Sequence, residues 1–214
     1  MNFLEFRRKM LIGVDLDNTI LNHRNSLIAI SRLIGFENVG PTKTSLKEAI
    51  IDKFGEAHWT FAQALIYGPL SMEAEVYSGF YDFLERMHEL EHQVCIVSHR
   101  TEKASGDERI NLKNYARLAV DRLLGKYSSK YSVYTENTIE EKVRTINRLN
   151  CDVFVDDLPQ VLDLLQRTGS RSIRILYRDS ADSEAGSELA LGSRDAGFYA
   201  ANSWFDVIRI FDRL

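Results

Sequence analysis

Six short runs rich in Val, Ile, Tyr and Phe recur along the chain, at residues 10–14, 93–97, 131–134, 152–155, 173–177 and, more weakly, 198–200. Segments with helical periodicity separate them. Residues 77–91 set Phe80, Phe83, Leu84, Met87 and Leu90 on one stripe, and residues 111–124 do the same with Leu112, Tyr115, Ala119 and Leu123 before Gly125. A further helix is expected over 159–168, opening on Pro159 and stopping before Gly169. Another is expected over 203–214, with Trp204, Phe205, Ile208 and Phe211 along one side. Buried strands alternating with such helices predict an α/β fold, a doubly wound parallel sheet with a Rossmann-like core.

One interval breaks the rhythm. The first two strands lie about 75 residues apart, far more than one crossover helix needs. Helical stretches over 26–34, 45–54 and 57–66 fill it, punctuated by Gly35, Gly40-Pro41, Gly55 and Gly68-Pro69. The expected organisation is an α/β core over 1–21 and 77–214 with a small helical cap, 22–76, inserted between them. Residues 178–197, rich in Ser, Asp, Glu, Ala and Gly, read as a surface connection that can carry a short helix.

The chain has 214 residues, 44% of them hydrophobic and only three of them proline, which suits one globular domain with a modest insert. Its formal charge of −4, with Lys and Arg scattered, leaves no electrostatic footprint for nucleic acid or an anionic membrane, and favours a small-molecule partner. Residues 1–9 include Glu5 and lack a long apolar run, so neither a signal peptide nor a membrane span is expected. Cys95 and Cys151 sit in or beside apolar runs and read as reduced, buried residues. A cytoplasmic protein is the expectation. The pattern leaves the oligomeric state open.

In open parallel sheets, ligands bind beyond the carboxyl ends of the strands. Asp15 and Asp17 follow Val14, Ser98-His99-Arg100-Thr101 follow Val97, and Asp156 and Asp157 follow Val155. Asp15 and Asp17, two apart, emerge on one side of their strand, close enough to share a cation or to divide nucleophile and acid roles. An Asx turn closing the strand is the plainer alternative for that pair.

Lys142 adds a cation. Thr138 and Glu141 form a capping box, so a helix starts near Ile139. At about 100° per residue, Ile139, Val143, Ile146 and Leu149 lie at about 0°, 40°, 340° and 280°, with Lys142 at about 300°, inside the apolar stripe. Arg144 and Arg148 take the opposite face. A lysine directed inward must meet carboxylates or phosphate, unless its ammonium snorkels outward along a buried stem.

In chain order, Asp15-Leu16-Asp17-Asn18-Thr19, Val97-Ser98, Lys142 and Val155-Asp156-Asp157 resemble the four motifs of the haloacid dehalogenase-like (HAD) phosphohydrolases. The resemblance spans residues 11–157 and implies a Mg²⁺-dependent phosphomonoester hydrolase with an aspartyl-phosphate intermediate. In that reading Asp15 is the nucleophile and Asp17 the acid and base, while Ser98 and Lys142 hold phosphoryl oxygens. The metal set is Asp15, the backbone carbonyl of Asp17, and Asp156. Asp157 either supports that set or caps the helix at Pro159, the cap being favoured. Asn18, Thr19, His99 and Arg100 are the implied substrate contacts, with His23, Arg24, His58, Trp59 and Tyr67 as further candidates. Asp17 favours a phosphatase over the dehalogenases of the superfamily.

A sugar phosphate is one implied substrate. A nucleotide monophosphate stacked on Trp59, transfer of phosphate to another acceptor, and a non-catalytic binding protein of the same fold are the alternatives. A receiver-type signalling domain fits less well, because its phosphorylated aspartate lies on the third strand.

Overall fold

The computed structural model describes residues 8–36, 42–179 and 197–214. The first part of the chain forms strand β1 (Leu11–Val14), β2 (Leu21–Asn22), helices α1 (Arg24–Leu33), α2 (Lys43–Phe54) and α3 (Glu56–Tyr67), a 3-10 turn and β3 (Glu75–Val76). Then come α4 (Phe80–Glu89), β4 (Gln93–His99), β5 (Lys103–Ala104), β6 (Asp107–Asn111), α5 (Leu112–Leu124), a second 3-10 turn and β7 (Tyr131–Glu136). The last part contains α6 (Ile139–Leu149), β8 (Val153–Asp156), α7 (Pro159–Arg167), β9 (Ile173–Tyr177), β10 (Tyr199–Ala201) and α8 (Trp204–Phe211).

Six strands form one sheet in the order β10-β9-β8-β1-β4-β7, every neighbouring pair parallel. This is the expected doubly wound α/β architecture. The chain builds outward from β1 through β4 to β7, then crosses back to β8 on the other side of β1. The strand order therefore reverses between β1 and β8, and a crevice opens above their carboxyl ends.

The pleat sorts side chains between two cores. Ile12 and Val14 of β1, Val94 and Ile96 of β4, and Val153 and Val155 of β8 face α4, α5 and α8. Cys95, Val97 and Phe154 face α6 and α7 on the other side. Gly13 belongs to that second face, where a Cβ would lie 2.5 Å from Phe154 Cδ2, so only glycine lets Phe154 fill the space. The same alternation directs Asp15, one residue past β1, and Asp156, the last residue of β8, to the α6 side.

Local chemistry sets the helix starts. Thr138 Oγ1 accepts the Glu141 N–H at 3.1 Å, while Glu141 Oε2 reaches back to the N–H of Asn137 rather than Thr138. Asn111, Thr42 and Ser203 cap α5, α2 and α8 in the same way. Helix α7 differs. Its N-cap residue is Leu158, with no side-chain cap, and the Leu158 N–H donates to Asp156 Oδ1 at 2.9 Å. The expected cap by Asp157 is thus not formed.

Helices α1–α3 enclose their own apolar cluster of Leu27, Ile30, Leu46, Ile50, Trp59, Ala62 and Ile66. The short antiparallel ribbon β2–β3 is the stem through which the chain enters and leaves them. A second insertion was not foreseen: the hairpin β5–β6, which turns at Ser105-Gly106 and packs Ala104 and Ile110 on Ala64 of α3. Gly106 approaches so closely that a Cβ there would sit 2.6 Å from Phe61 Cα. Cys95 and Cys151 are free buried thiols with their sulfurs 3.7 Å apart. Among the described residues no helix is long and apolar enough to cross a membrane. The connection expected over 178–197 lies, apart from residues 178, 179 and 197, outside the described residues.

Candidate active site

Above the β1/β8 crevice, Lys142 is the buried hub. It comes from the first turn of α6, is 1% exposed, and donates to Asp15 Oδ1 at 2.5 Å and Asp156 Oδ2 at 2.7 Å. The ring of Phe154 lies beneath the ammonium, 5.5 Å from Nζ to centroid. The inward orientation read from the helical wheel is therefore observed, and its partners are carboxylates contributed by two neighbouring strands.

Asp15, Asp156 and Asp157 bring one carboxylate oxygen each within 4.8 Å of one another. Burial raises the pKa of Asp15 to about 7; Lys142 opposes the shift, and Asp156 and Asp17 add to it. Burial, with Asp15 and Asp156 nearby, likewise pushes Asp157 well above the ordinary carboxylate range. Crowded, desolvated carboxylates that resist ionising are a poor apolar core but a good oxygen cage for a hard divalent cation.

Asp17 faces elsewhere. Arg100 Nε donates to its Oδ2 at 2.6 Å, Arg100 Nη2 and His23 Nε2 both reach Oδ1, the latter at 2.7 Å. Burial alone would raise its pKa, but Arg100 and His23 overcome that and hold Asp17 well below the ordinary range. Arg100 is 3% exposed and also donates through Nη1 to the carbonyl of Tyr67, the last residue of α3. One guanidinium thus joins the end of β4, the loop after β1 and the helical insert, at a helix end whose carbonyls favour positive charge.

These groups line a cavity of about 300 Å³. Its lining includes Asp15, Asp17, Asn18, Lys142 and Asp157; His99 ends β4, and Arg100 and Thr101 follow it; Lys43, Gln63 and Tyr67 come from the insert. Burial disfavours the Lys43 ammonium, but Tyr67, Asp157 and Asp17 around it outweigh that and raise its pKa.

No family model matches the sequence, and no curated protein matches it. Solved structures do resemble it. A predicted phosphatase from Clostridium acetobutylicum superposes with a TM-score of 0.61 at 14% identity, covering 96% of this chain and 99% of that one. A HAD-superfamily hydrolase from Ehrlichia chaffeensis gives 0.53 at 13% identity, covering 97% and 98%. CbbY from Rhodobacter sphaeroides in complex with phosphate gives 0.52 at 11%, covering 92% and 95%.

The fold is that of the HAD-superfamily hydrolases. Within this HAD-like frame the residues singled out in the sequence fall into three groups. Asp15, Asp17, Asn18, His99, Arg100, Lys142, Asp157 and Tyr67 line the cavity, and Asp156 lies beneath it, fully buried. Ser98 and Thr19 are buried beside it with hydroxyls that have no partner among the described residues, although the Thr19 carbonyl accepts from Trp204 Nε1. Trp59 lies in the core of the insert; His58 packs on Phe54 and Arg24 is exposed, both away from the cavity. His99 is tied to the Asn137 carbonyl at 2.9 Å.

Lys43 and Gln63 were not anticipated. A signal existed for Lys43: it opens α2, where a cation opposes the helix dipole and no acid sits in the first turn. Gln63 carried none, because its place one turn before Tyr67 matters only once the cavity is known.

Proposed function

We propose that the protein is a Mg²⁺-dependent phosphomonoester hydrolase acting through Asp15 on a small phosphorylated metabolite. The observation that carries this reading is the convergence of Asp15, Asp156 and Asp157 with the buried Lys142 at the reversal point of a HAD-like sheet.

The donor set fits a hard cation: three carboxylates, of which Asp15 and Asp157 hold their protons too tightly in its absence. Asp15, Asp156 and Asp157, with the Asp17 carbonyl, would hold Mg²⁺. When bound, the ion supplies positive charge to the phosphoryl oxygens and keeps Asp15 ionised. The Asp15 carboxylate would then attack phosphorus as the ester oxygen leaves, forming an aspartyl-phosphate that water hydrolyses in a second step. Lys142 fixes the attacking oxygen and offsets charge on the transferring group. The unpartnered hydroxyl of Ser98 is suited to donate to a phosphoryl oxygen after a small rotation.

Asp17 would pass a proton to the leaving oxygen and take one from the attacking water. Arg100 and His23 hold its carboxylate ionised, so proton donation requires that the guanidinium be drawn away as substrate enters. Asn18 and Arg100 remain the substrate contacts best supported by position. Thr19 and His99 are held by other partners or buried.

The cavity favours a small aliphatic substrate over a nucleotide. Its volume is at the lower end for ligand sites. Among the described residues the Tyr67 ring is its one large aromatic lining group, and that ring already meets Lys43 and Arg100, each 5.4 Å from its centroid, and the edge of His23. Trp59, the stacking candidate, is buried in the insert.

Phosphate release from a panel of sugar phosphates, nucleotides and an aryl phosphate, with Mg²⁺ and with chelator, tests the reading. Wild-type protein should release phosphate only with the metal, and Asp15→Asn should abolish release while keeping the fold. Turnover retained by Asp15→Asn, or no turnover of any compound by folded protein, would overturn it.

A further inference from the structure

The insert contributes polar groups to the cavity that the proposed chemistry does not use. Lys43 and Gln63 both face the cavity from the insert. Lys142 is engaged by Asp15 and Asp156, and Arg100 by Asp17, but Lys43 has no carboxylate within ion-pairing distance among the described residues; its company is Tyr67. Gln63 makes no side-chain hydrogen bond to a described residue, and it lies one turn before Tyr67 on the same face of α3. An exposed ammonium with no carboxylate partner and a half-buried amide with no hydrogen-bond partner among the described residues, both lining one cavity, together can receive an anion.

Its position decides which anion. Lys43 Nζ stands 5.4 Å from the centroid of the Tyr67 ring, which Arg100, the clamp on Asp17, approaches at the same distance. Lys43 therefore enters the cavity from the insert, on the side where Tyr67 and Arg100 adjoin the acid Asp17 and where the leaving group lies in the proposed chemistry, while the nucleophile Asp15 is held by Lys142. Tyr67 backs Lys43, and Thr42 fixes it by capping α2 through the Ser45 N–H at 3.1 Å.

We propose that Lys43 and Gln63 are specificity-determining residues that bind a second anionic group, a carboxylate or a phosphate, on the leaving group. The inference rests on the phosphomonoesterase reading and deepens it: the substrate is a short aliphatic phosphomonoester with a second anion a few bonds from the ester oxygen. Gln63 donates its amide to the same anion or an adjacent hydroxyl.

The test compares pairs that differ in the second anion: 3-phosphoglycerate with glycerol 3-phosphate, and propane-1,3-diol bisphosphate with propyl phosphate. An aryl phosphate reports whether the hydrolase works at all. Wild-type kcat/KM should favour the anionic member of at least one pair by about tenfold or more, the usual scale for one charge-assisted hydrogen bond. The pair that responds identifies the anion as carboxylate or phosphate. Lys43→Met should collapse that ratio toward one, chiefly through KM, and Lys43→Arg should restore much of it. Equal losses for both members of each pair, or a wild type that shows no preference while hydrolysing the aryl phosphate, would overturn the proposal and leave the hydrolase reading standing. If Lys43→Met fails to fold, the wild-type ratios and Gln63→Leu, expected to weaken the same preference, decide it. No hydrolysis of any compound would overturn both.

Discussion

Replacing Arg100 with Met keeps most of the side-chain volume and deletes the charge at the junction of β1, β4 and the insert. Two donors to Asp17 and one to the Tyr67 carbonyl disappear. Arg100 is 3% exposed and the Asp17 side chain 16% exposed, so water replaces little of what is lost. Removing one partner of such a buried pair costs about 3–5 kcal/mol, because the other charge stays desolvated. For a chain of this size that is a fall of about 6–20 °C in melting temperature.

The sign of the pH dependence follows from Asp17. In the wild type its folded pKa is depressed, so its contribution is fully present above the unfolded value and lost as pH falls through the folded one. In Arg100→Met only His23 still opposes burial, so the folded pKa rises from its depressed position and the stability gained as Asp17 ionises shrinks. The gap between wild type and variant should therefore be widest near pH 8 and narrower near pH 5. Urea unfolding at both values, followed by the fluorescence of Trp59 and Trp204, measures it. A difference under about 1 kcal/mol at pH 8, the size of a surface ion pair, would refute the account of a desolvated clamp.

Two further outcomes follow from the same geometry. Gly13→Ala places a methyl within 2.5 Å of Phe154 and 3.1 Å of Cys151 Sγ, and should lower stability by about 1–3 kcal/mol. Combining it with Phe154→Leu should cost less than the sum of the single changes; strict additivity in calorimetry would show that the contact is relieved elsewhere. Mg²⁺ should raise the melting temperature in proportion to the logarithm of its concentration, and more at pH 8 than at pH 6, because it must displace protons from carboxyls such as Asp15, held up to about 7. Asp157→Asn should lose most of that shift, and no shift in the wild type at either pH would rule out the three-carboxylate cage.

Much of this architecture was legible because it depends on local patterns. The six sheet strands match apolar runs, and Lys142 was directed inward by its angle on an otherwise apolar stripe. What escaped depends on tertiary contacts. The β5–β6 hairpin contains only Ala104 and Ile110 as buried apolar anchors, too few to register as strands, and owes its shape to α3. Strand β4 continues through Ser98 and His99 because Thr135 and Glu136 of β7 pair with them. The family resemblance put Arg100 beside the phosphate site, but its partners, Asp17 and the Tyr67 carbonyl, lie 83 and 33 residues away in sequence. Asp157 read as a helix cap because caps are common before Pro, yet Asp156 takes the available N–H instead.

The central position of β1 also governs when the site can exist during synthesis. This strand is made first among the six, but its two neighbours, β4 and β8, are made much later, and Asp15 meets Lys142 across 127 residues of chain. Until β8 emerges, one flank of β1 has no partner, and neither the lysine hub nor the carboxylate cage has its second wall. Long-range parallel pairing of this kind is slow and leaves apolar edges uncovered while it waits. A nascent chain would thus carry its first two aspartates as bystanders, and competence for metal and substrate would appear in one step, as the sheet closes around its oldest strand.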